Sequence, residues 1–163
     1  MRKFEKVKRI EEDIKLPKRA TKKSAGYDFF AIEDTVIEPV RHYVERGYGI
    51  PAVVHDKVKP TKILTGVKVI MEDDECLMLG NRSSHPSKKD LVLANGVGFI
   101  DADYYNNKDN DGEMAFEYYN VSSKPVVIKK GDKIGQGVFM KYEITDDDDA
   151  EGERTGGFGS TGV

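Results

Sequence analysis

The sequence predicts an all-β protein, and three observations carry that reading. Many short runs alternate apolar and polar residues, the period of a strand with one buried face. Clusters of turn residues separate these runs at close spacing. Helical spacing of apolar residues is almost absent from the 163-residue chain. A chain of this length is expected to form one domain with a real core, and many short strands in it argue for a sandwich or barrel.

The elements follow in order. Residues 4–8 alternate apolar and charged, as a half-buried strand does. Residues 16–21, Leu-Pro-Lys-Arg-Ala-Thr, read as loop. Residues 25–31 form a second strand, and residues 35–38 a third that Pro39 stops. Residues 40–60 hold Gly47, Gly49, Pro51 and Pro60 around Ala52-Val53-Val54, and read as a loop or hairpin excursion from the main body. Residues 65–71 alternate again, Glu72-Asp73-Asp74 turns, and residues 75–79 are the next strand. Leu91-Val92-Leu93 leads into Asn95-Gly96-Val97-Gly98, where the glycines suit a tight hairpin. Residues 114–120 and 125–128 are strands, and Lys130-Gly131-Asp132-Lys133 turns into a last strand at 134–142. Beyond it, Asp146-Asp147-Asp148-Asp149 repels itself and is expected to be extended and mobile. The organisation predicted is a β body over 1–145 with an excursion at about 40–60, then an acidic linker and Gly-rich arm over 146–163.

Composition excludes several functions. Charged residues make up 34% of the chain, yet the net charge is only −3, so general affinity for nucleic acid or membrane is not expected. No apolar run approaches membrane-spanning length, and residues 1–6 lack the apolar stretch of a signal peptide. Cys76 is the single cysteine, so no internal disulfide can form, and a reducing, cytoplasmic setting fits. Neither CxxC nor HExxH occurs and the three histidines are scattered, which argues against a protein-ligated zinc.

Two stretches carry chemistry. In Asn95-Gly96-Val97-Gly98-Phe99-Ile100-Asp101-Ala102-Asp103-Tyr104, the turn can offer main-chain N–H and C=O groups to a flat polar ring, and the carboxylate beyond can work on whatever that ring carries. In the Gly-rich segment from Arg154 to Val163, glycine amides can wrap a phosphate, Phe158 can stack on a base and Arg154 can clamp phosphate oxygens. No Gly-Lys-Ser/Thr occurs, so this is not a Walker loop.

Five stretches in this order resemble the dUTP pyrophosphatase (dUTPase) family of homotrimeric all-β enzymes: Ala25-Gly26-Tyr27-Asp28, Asn81-Arg82-Ser83-Ser84, Gly98 to Tyr104, Gly131-Asp132-Lys133-Ile134-Gly135-Gln136, and the Gly-rich tail. The resemblance implies a distorted jelly-roll β-barrel that hydrolyses dUTP to dUMP and pyrophosphate with Mg²⁺. It casts Asp101 as general base for a water attacking the α-phosphorus. Tyr104 would pack on the deoxyribose and exclude a 2′-hydroxyl, while the backbone around Asn95 and Gly98 would read uracil. Arg82, Ser83 and Gln136 would hold phosphates, with a backbone amide available at Ser84. Asp28 would support the Mg²⁺ water shell or orient a phosphate-binding neighbour. In the tail, Phe158 would cover the uracil, and Arg154, Gly159, Ser160 and Thr161 would close over the β- and γ-phosphates of a neighbouring subunit's site.

The chain departs from the family pattern in four places. Ser84 stands where Gly is usual and is followed by His85 and Pro86; Tyr105-Asn106 replaces an Arg-Gly; the tail is one residue shorter between Arg154 and its Gly pair; and the excursion after Pro39 is longer than a simple turn. By family analogy the excursion could engage a regulatory protein. The related dCTP deaminases also carry Arg-Ser-Ser and a Glu before two aromatic-type positions and Asn, here Glu117-Tyr118-Tyr119-Asn120, which leaves a deaminase or bifunctional enzyme as the alternative. A non-catalytic binding protein using residues 40–60 is the third reading.

Overall fold

The computed structural model describes residues 1–40, 42–46, 50–54, 59–154 and 156, with the backbone alone at 42–46 and 50–54. Its largest sheet has five strands in the order β11 (Gly98–Asp101), β9 (Glu75–Gly80), β14 (Lys133–Lys141), β3 (Tyr27–Phe30) and β2 (Lys18–Arg19). A second sheet runs β10 (Leu91–Leu93), β12 (Ala115–Asn120), β7 (Thr61–Leu64). Three two-stranded ladders complete the body: β1 (Lys3–Lys6) with β8 (Val67–Ile70), β4 (Thr35–Ile37) with β13 (Val126–Ile128), and β5 (His42–Arg46) with β6 (Ile50–Val54). These ladders are all antiparallel, and they do not join into a closed barrel among the described residues. No helix of the described residues is long and apolar enough to cross a membrane.

The core lies between the five- and three-stranded sheets. Phe29, Leu77 and Ile134 face it from one side, and Ile63, Leu91, Phe116 and Tyr118 from the other. Strand β12 displays the alternation that predicted it: Phe116, Tyr118 and Asn120 are buried while 115, 117 and 119 are half-buried. The Phe29 and Phe116 rings meet across the layers at 5.6 Å. Gly135 makes this possible, because a Cβ there would fall inside the Phe116 ring. The Tyr118 hydroxyl ties the layers together by donating to the Ile134 carbonyl at 2.5 Å.

Buried charges are paired, as the cost of desolvation requires. Arg9 holds Glu113 through two bonds of 2.9 and 2.6 Å, and the same carboxylate accepts the Gly66 N–H at 2.9 Å. Arg2 grips Glu75 in the same way, with Nε 2.8 Å from each oxygen. Lys68 is buried on β8, bonded to Asn106 and to Asp111 Oδ1 at 3.0 Å, with its ammonium 4.9 Å from the Tyr105 ring centre.

Four details differ from the sequence expectation. Lys18–Arg19, read as loop, adds a short edge strand to β3, and Thr61–Leu64, which the sequence left unassigned, is a strand paired with β12. A five-residue helix, α1 (Ser84–Lys88), and a 3-10 turn at Ala102–Tyr104 interrupt the strands. Residues 94–97 do not close a hairpin: β10 pairs with β12 and β11 with β9, so the turn carries the chain from one sheet to the other. The excursion forms a hairpin, as the sequence allowed, and among the described residues its strands pair with each other; residues 41, 47–49 and 55–58 lie outside the described residues.

Candidate active site

The predicted residues gather in three places. The first is a polar cluster at the junction of β3, β14 and the end of β9. Gln136 stands opposite Asp28 on one side and Gly80 on the other. Asp28 is 4% exposed, and its two oxygens accept Lys133 Nζ at 2.7 Å and Gln136 Nε2 at 3.1 Å. Burial alone would push this carboxyl up, but the bonds from Lys133 and Gln136, with the charges of Lys133 and Arg82, outweigh it and hold Asp28 below the usual carboxylate range. Arg82, just beyond β9, donates Nη1 to the Lys133 carbonyl at 3.1 Å. Gly26 lets β3 approach: a Cβ there would stand 3.2 Å from Gln136 Oε1. Ser83 is exposed at the start of α1 without capping it through its side chain, and Ser84 opens the helix.

Beneath this cluster lies His85, wholly buried, with neither ring nitrogen hydrogen-bonded. Its ring meets Tyr118 edge-on at 5.5 Å. Burial, then the charges of Arg82 and Lys89, lower its pKa to about 4, against weaker opposing effects of the Lys133 carbonyl and Asp132.

The second place is the turn at 94–97. Gly96 has φ +69°, a backbone that L side chains rarely adopt. Its N–H reaches the Leu93 carbonyl at 3.1 Å, and Val97 N–H reaches the Asn95 carbonyl at 2.7 Å. Because the flanking strands diverge, a cavity of about 70 Å³ opens behind the turn, lined by Leu79, Leu93, Asn95, Gly98 and Glu117 among others. Gly98 keeps it open, since a Cβ there would crowd Asn95 Nδ2 at 3.2 Å.

The third place is the end of β11. Asp101 is 57% exposed, and the 3-10 turn after it brings Asp103 and Tyr104 alongside. Arg154 reaches back from the tail: Nη2 donates to Asp101 Oδ2 at 2.5 Å, Nε to Asp103 Oδ1 at 2.6 Å, and the guanidinium lies 5.8 Å from the Tyr104 ring centre. Tyr104 is buried, its hydroxyl donating to the Glu113 carbonyl at 3.1 Å and accepting from Asn110 Nδ2 at 2.7 Å. Cys76 lies opposite Asp101 in the ladder, and burial, with the Asp101 charge, pushes its thiol up, which disfavours the thiolate.

One chain does not bring all three places together. Asp101 pairs with Cys76 at the start of β9, whereas Gln136 pairs with Gly80 at its end. That interval is roughly 13 Å along a strand rising about 3.3 Å per residue. The sequence reading sends the tail to a neighbouring subunit, but Arg154 here meets Asp101 of its own chain. Phe158, Gly159, Ser160 and Thr161 lie outside the described residues. Lys133, Asp103 and His85 were not singled out for the site; a Lys in a Gly-Asp-Lys turn and an Asp two places from another Asp look like ordinary surface residues until their partners are seen. Among the described residues, no three His, Cys, Asp or Glu converge where they could hold a metal.

Comparison with known proteins gives the same direction. A family model described as dUTPase matches residues 59–162. The deoxyuridine 5′-triphosphate nucleotidohydrolase of Lactococcus lactis subsp. lactis (strain IL1403) is 44% identical over 152 residues, covering 92% of this chain and 89% of that protein. The protein of the same description from Desulfitobacterium hafniense (strain DSM 10664 / DCB-2) is 36% identical over 155 residues, covering 91% and 88%. The crystal structure of dUTPase from Streptococcus mutans superposes with a TM-score of 0.73 at 38% identity, covering 88% of this chain and 98% of that one. The dUTPase from phage phi11 of S. aureus, whose structure visualises a species-specific insert, shares the fold at a TM-score of 0.68 and 21% identity, covering 93% and 97%; a mutant of it is described with a coordinated structural Mg(II) ion. On its sequence and its fold alike, this chain belongs to the dUTPase family.

Proposed function

We infer that this protein hydrolyses dUTP to dUMP and pyrophosphate. The observation that carries the reading is Asp101, an exposed carboxylate at the end of an edge strand, flanked by Tyr104 and reached by an arginine of the Gly-rich tail. Asp101 accepts a proton from a water as the water oxygen bonds to the α-phosphorus. The bond to the bridging oxygen breaks and pyrophosphate leaves. A positioned base of this kind contributes roughly 10²–10⁴ in rate.

The chain's other residues bind and orient. Uracil enters at Asn95 and Gly98, where backbone groups meet its polar edge and the turn's shape excludes a thymine methyl. Tyr104, anchored at its hydroxyl, packs on the deoxyribose. Arg82, Ser83, Gln136 and the Ser84 amide hold the phosphates, and Asp28 fixes Gln136 and Lys133 for that work. Arg154 exchanges the carboxylates of Asp101 and Asp103 for phosphate oxygens when substrate arrives, and Phe158, Gly159, Ser160 and Thr161 close the site with it. Because Asp101 and the Arg82 cluster sit at opposite ends of β9, a complete site takes them from different protomers of a homotrimer.

Magnesium suits this arrangement. The ion keeps several waters and prefers phosphate oxygens, so it needs no protein cage, and the described residues build none. With both its oxygens held by Lys133 and Gln136, Asp28 would support the ion's water shell only by orienting those neighbours. Bound with the triphosphate, Mg²⁺ would supply charge stabilisation at the phosphoryl oxygens.

Among the described residues the β5–β6 hairpin pairs with no other strand, which makes it a segment that a regulatory protein could grip. The lone buried cysteine suits a reducing compartment such as the cytoplasm. The test is direct: incubate the protein with dUTP, dCTP, dTTP and UTP plus Mg²⁺ and identify the products. The reading expects dUMP and pyrophosphate from dUTP alone; no turnover of dUTP would overturn it.

A further inference from the structure

Lys133 and Gln136 both reach Asp28, yet they lie three residues apart on one strand. On a regular strand such residues point to opposite faces. A bulge in β14 removes the difficulty. Lys133 stands opposite Phe30 and Gly135 opposite Phe29, so Ile134 is an extra residue with no opposite number on β3. The extra residue turns Lys133 and Gln136 onto one face. Strand β12 of the facing sheet fits this bulge with two side chains. The Phe116 ring fills the space that a Cβ on Gly135 would take. Two positions on, the wholly buried Tyr118 sends its hydroxyl to the Ile134 carbonyl at 2.5 Å. The same hydroxyl lies 3.1 Å from Asn81 Oδ1. Asn81 Nδ2 donates to the Leu91 carbonyl at 3.0 Å, which turns the Oδ1 end toward the phenol. One phenol proton therefore serves two oxygens, with the shorter contact at Ile134. Burial pushes this phenol up, against the pull of the Arg82 charge, so it keeps its proton and stays a donor.

We propose that Tyr118 is a positioning residue for the phosphate cluster: its hydroxyl clamps the β14 bulge, which aims Lys133 and Gln136, to Asn81, the neighbour of Arg82. The β9–β14 ladder begins at Gly80 and Gln136, so no ladder pairing fixes residues 81–84 against Lys133 and Ile134. Arg82 Nη1 ties to the Lys133 carbonyl at 3.1 Å, but Arg82 is a side chain that turns to substrate. The Tyr118 tie is buried and substrate does not draw on it. A phenylalanine there keeps the ring and its packing and leaves the Ile134 carbonyl buried without this donor, a cost that the bulge relieves only by shifting. The inference rests on reading Arg82, Ser83 and Gln136 as the groups that hold phosphates.

The experiment measures kcat and KM for dUTP with Mg²⁺, and the thermal melt, for the full-length protein, its Tyr118→Phe and Asn81→Ala variants, and the double variant. Each single change should raise KM about tenfold. The turnover number should stay within about threefold, because Asp101 lies at the other end of β9 and is untouched. Both changes break one clamp, so the double variant should have a KM within about twofold of the worse single variant. A lowered melt with unchanged KM in Tyr118→Phe would make the residue purely structural and overturn the proposal. So would KM losses that multiply in the double variant, since Tyr118 and Asn81 would then act separately. Should Tyr118→Phe fail to fold, Asn81→Ala decides alone: a raised KM with kcat kept upholds the clamp, and an unchanged KM overturns it. Absence of dUTP turnover in wild type is a different failure: it overturns the dUTP reading itself and this inference with it.

Discussion

Asp28 and Asp101 belong to the same five-stranded sheet and carry the same side chain, but the fold makes them opposites. Asp28 sits inside the sheet, 4% exposed, with both oxygens committed to Lys133 and Gln136. Asp101 ends an edge strand, 57% exposed, and its partner Arg154 lies beyond β14, outside any strand. A buried carboxylate with fixed donors is a scaffold, because losing either donor strands a charge away from water. An exposed carboxylate with an exchangeable partner can take up a proton and lose it again. On the function proposed above, position in the sheet and not residue type separates the reagent from the support.

The sharpest way to break that contrast is Asp101→Asn. The change keeps the shape and removes the base, so turnover should fall at least about a hundredfold while the thermal melt stays close to wild type. Near-normal kcat in the folded variant would make Asp101 a mere turn residue.

Ending the chain at Asp149 removes Arg154 and all that follows. Strands β1 to β14 are untouched, so the folded oligomer should persist on gel filtration. Closure excludes water and completes the site, so kcat/KM should drop about tenfold or more, measured on the same preparation. Full activity would leave the Arg154 contacts without a role.

Acid sensitivity probes the support. The ordinary histidine pKa is 6.5 and that of folded His85 is about 4. As pH falls from 6.5 to 4 the unfolded chain takes up a proton that folded His85 refuses, so stability is lost through that window, by roughly 3 kcal/mol. Denaturant titrations at several pH values should show this slope, and His85→Leu should flatten it. An unchanged slope would mean that the ring is not held neutral. Asp28 acts lower: its folded pKa is depressed, so its contribution is complete above the ordinary carboxylate pKa of about 4 and disappears as pH falls through the folded value. Asp28→Asn should cost about 1–3 kcal/mol near neutrality and raise KM for dUTP by several-fold. A change in kcat with KM fixed would instead make Asp28 part of the chemical step.

The smallest effect is expected at the excursion. Replacing residues 41–59 with a short Gly-containing turn should leave oligomer and activity intact, since changing a surface loop alters closure entropy only modestly. Loss of the fold would place the hairpin in the body and remove the basis for a partner there.

The sequence made strands legible wherever one face is buried and the other wet. The alternation of residues 115–120 persists in the fold, where every second residue stays half-buried, whereas in β3 Asp28 and Phe29 are buried in succession. Alternation failed at Lys18–Arg19, two exposed residues with no pattern to read, and at the turn of residues 94–97, where glycines signal a tight turn but not which strands pair beside it. Asp101 and Arg82 could be singled out from the sequence because each lies in a stretch that resembles a family motif. Lys133, Asp103 and His85 depend on partners far away in the chain, and nothing local marks them. Glu117 was visible only as one half of an alternative reading; its place beside Asn95 and Gly98 comes from the divergence of β10 and β11.

On the function proposed above, the Asp101 corner of one protomer works with the Arg82 cluster of another. Asp101→Asn and Arg82→Ala proteins, each inactive alone, can be unfolded together, mixed in equal amounts and refolded, and dUTP hydrolysis measured. If a site draws these residues from two protomers, random mixing leaves about a quarter of the sites with both intact, and activity should return to about a quarter of the wild-type value. If the mixture stays as inactive as its components while its protomers demonstrably exchange, both groups serve from the same chain and the account is wrong.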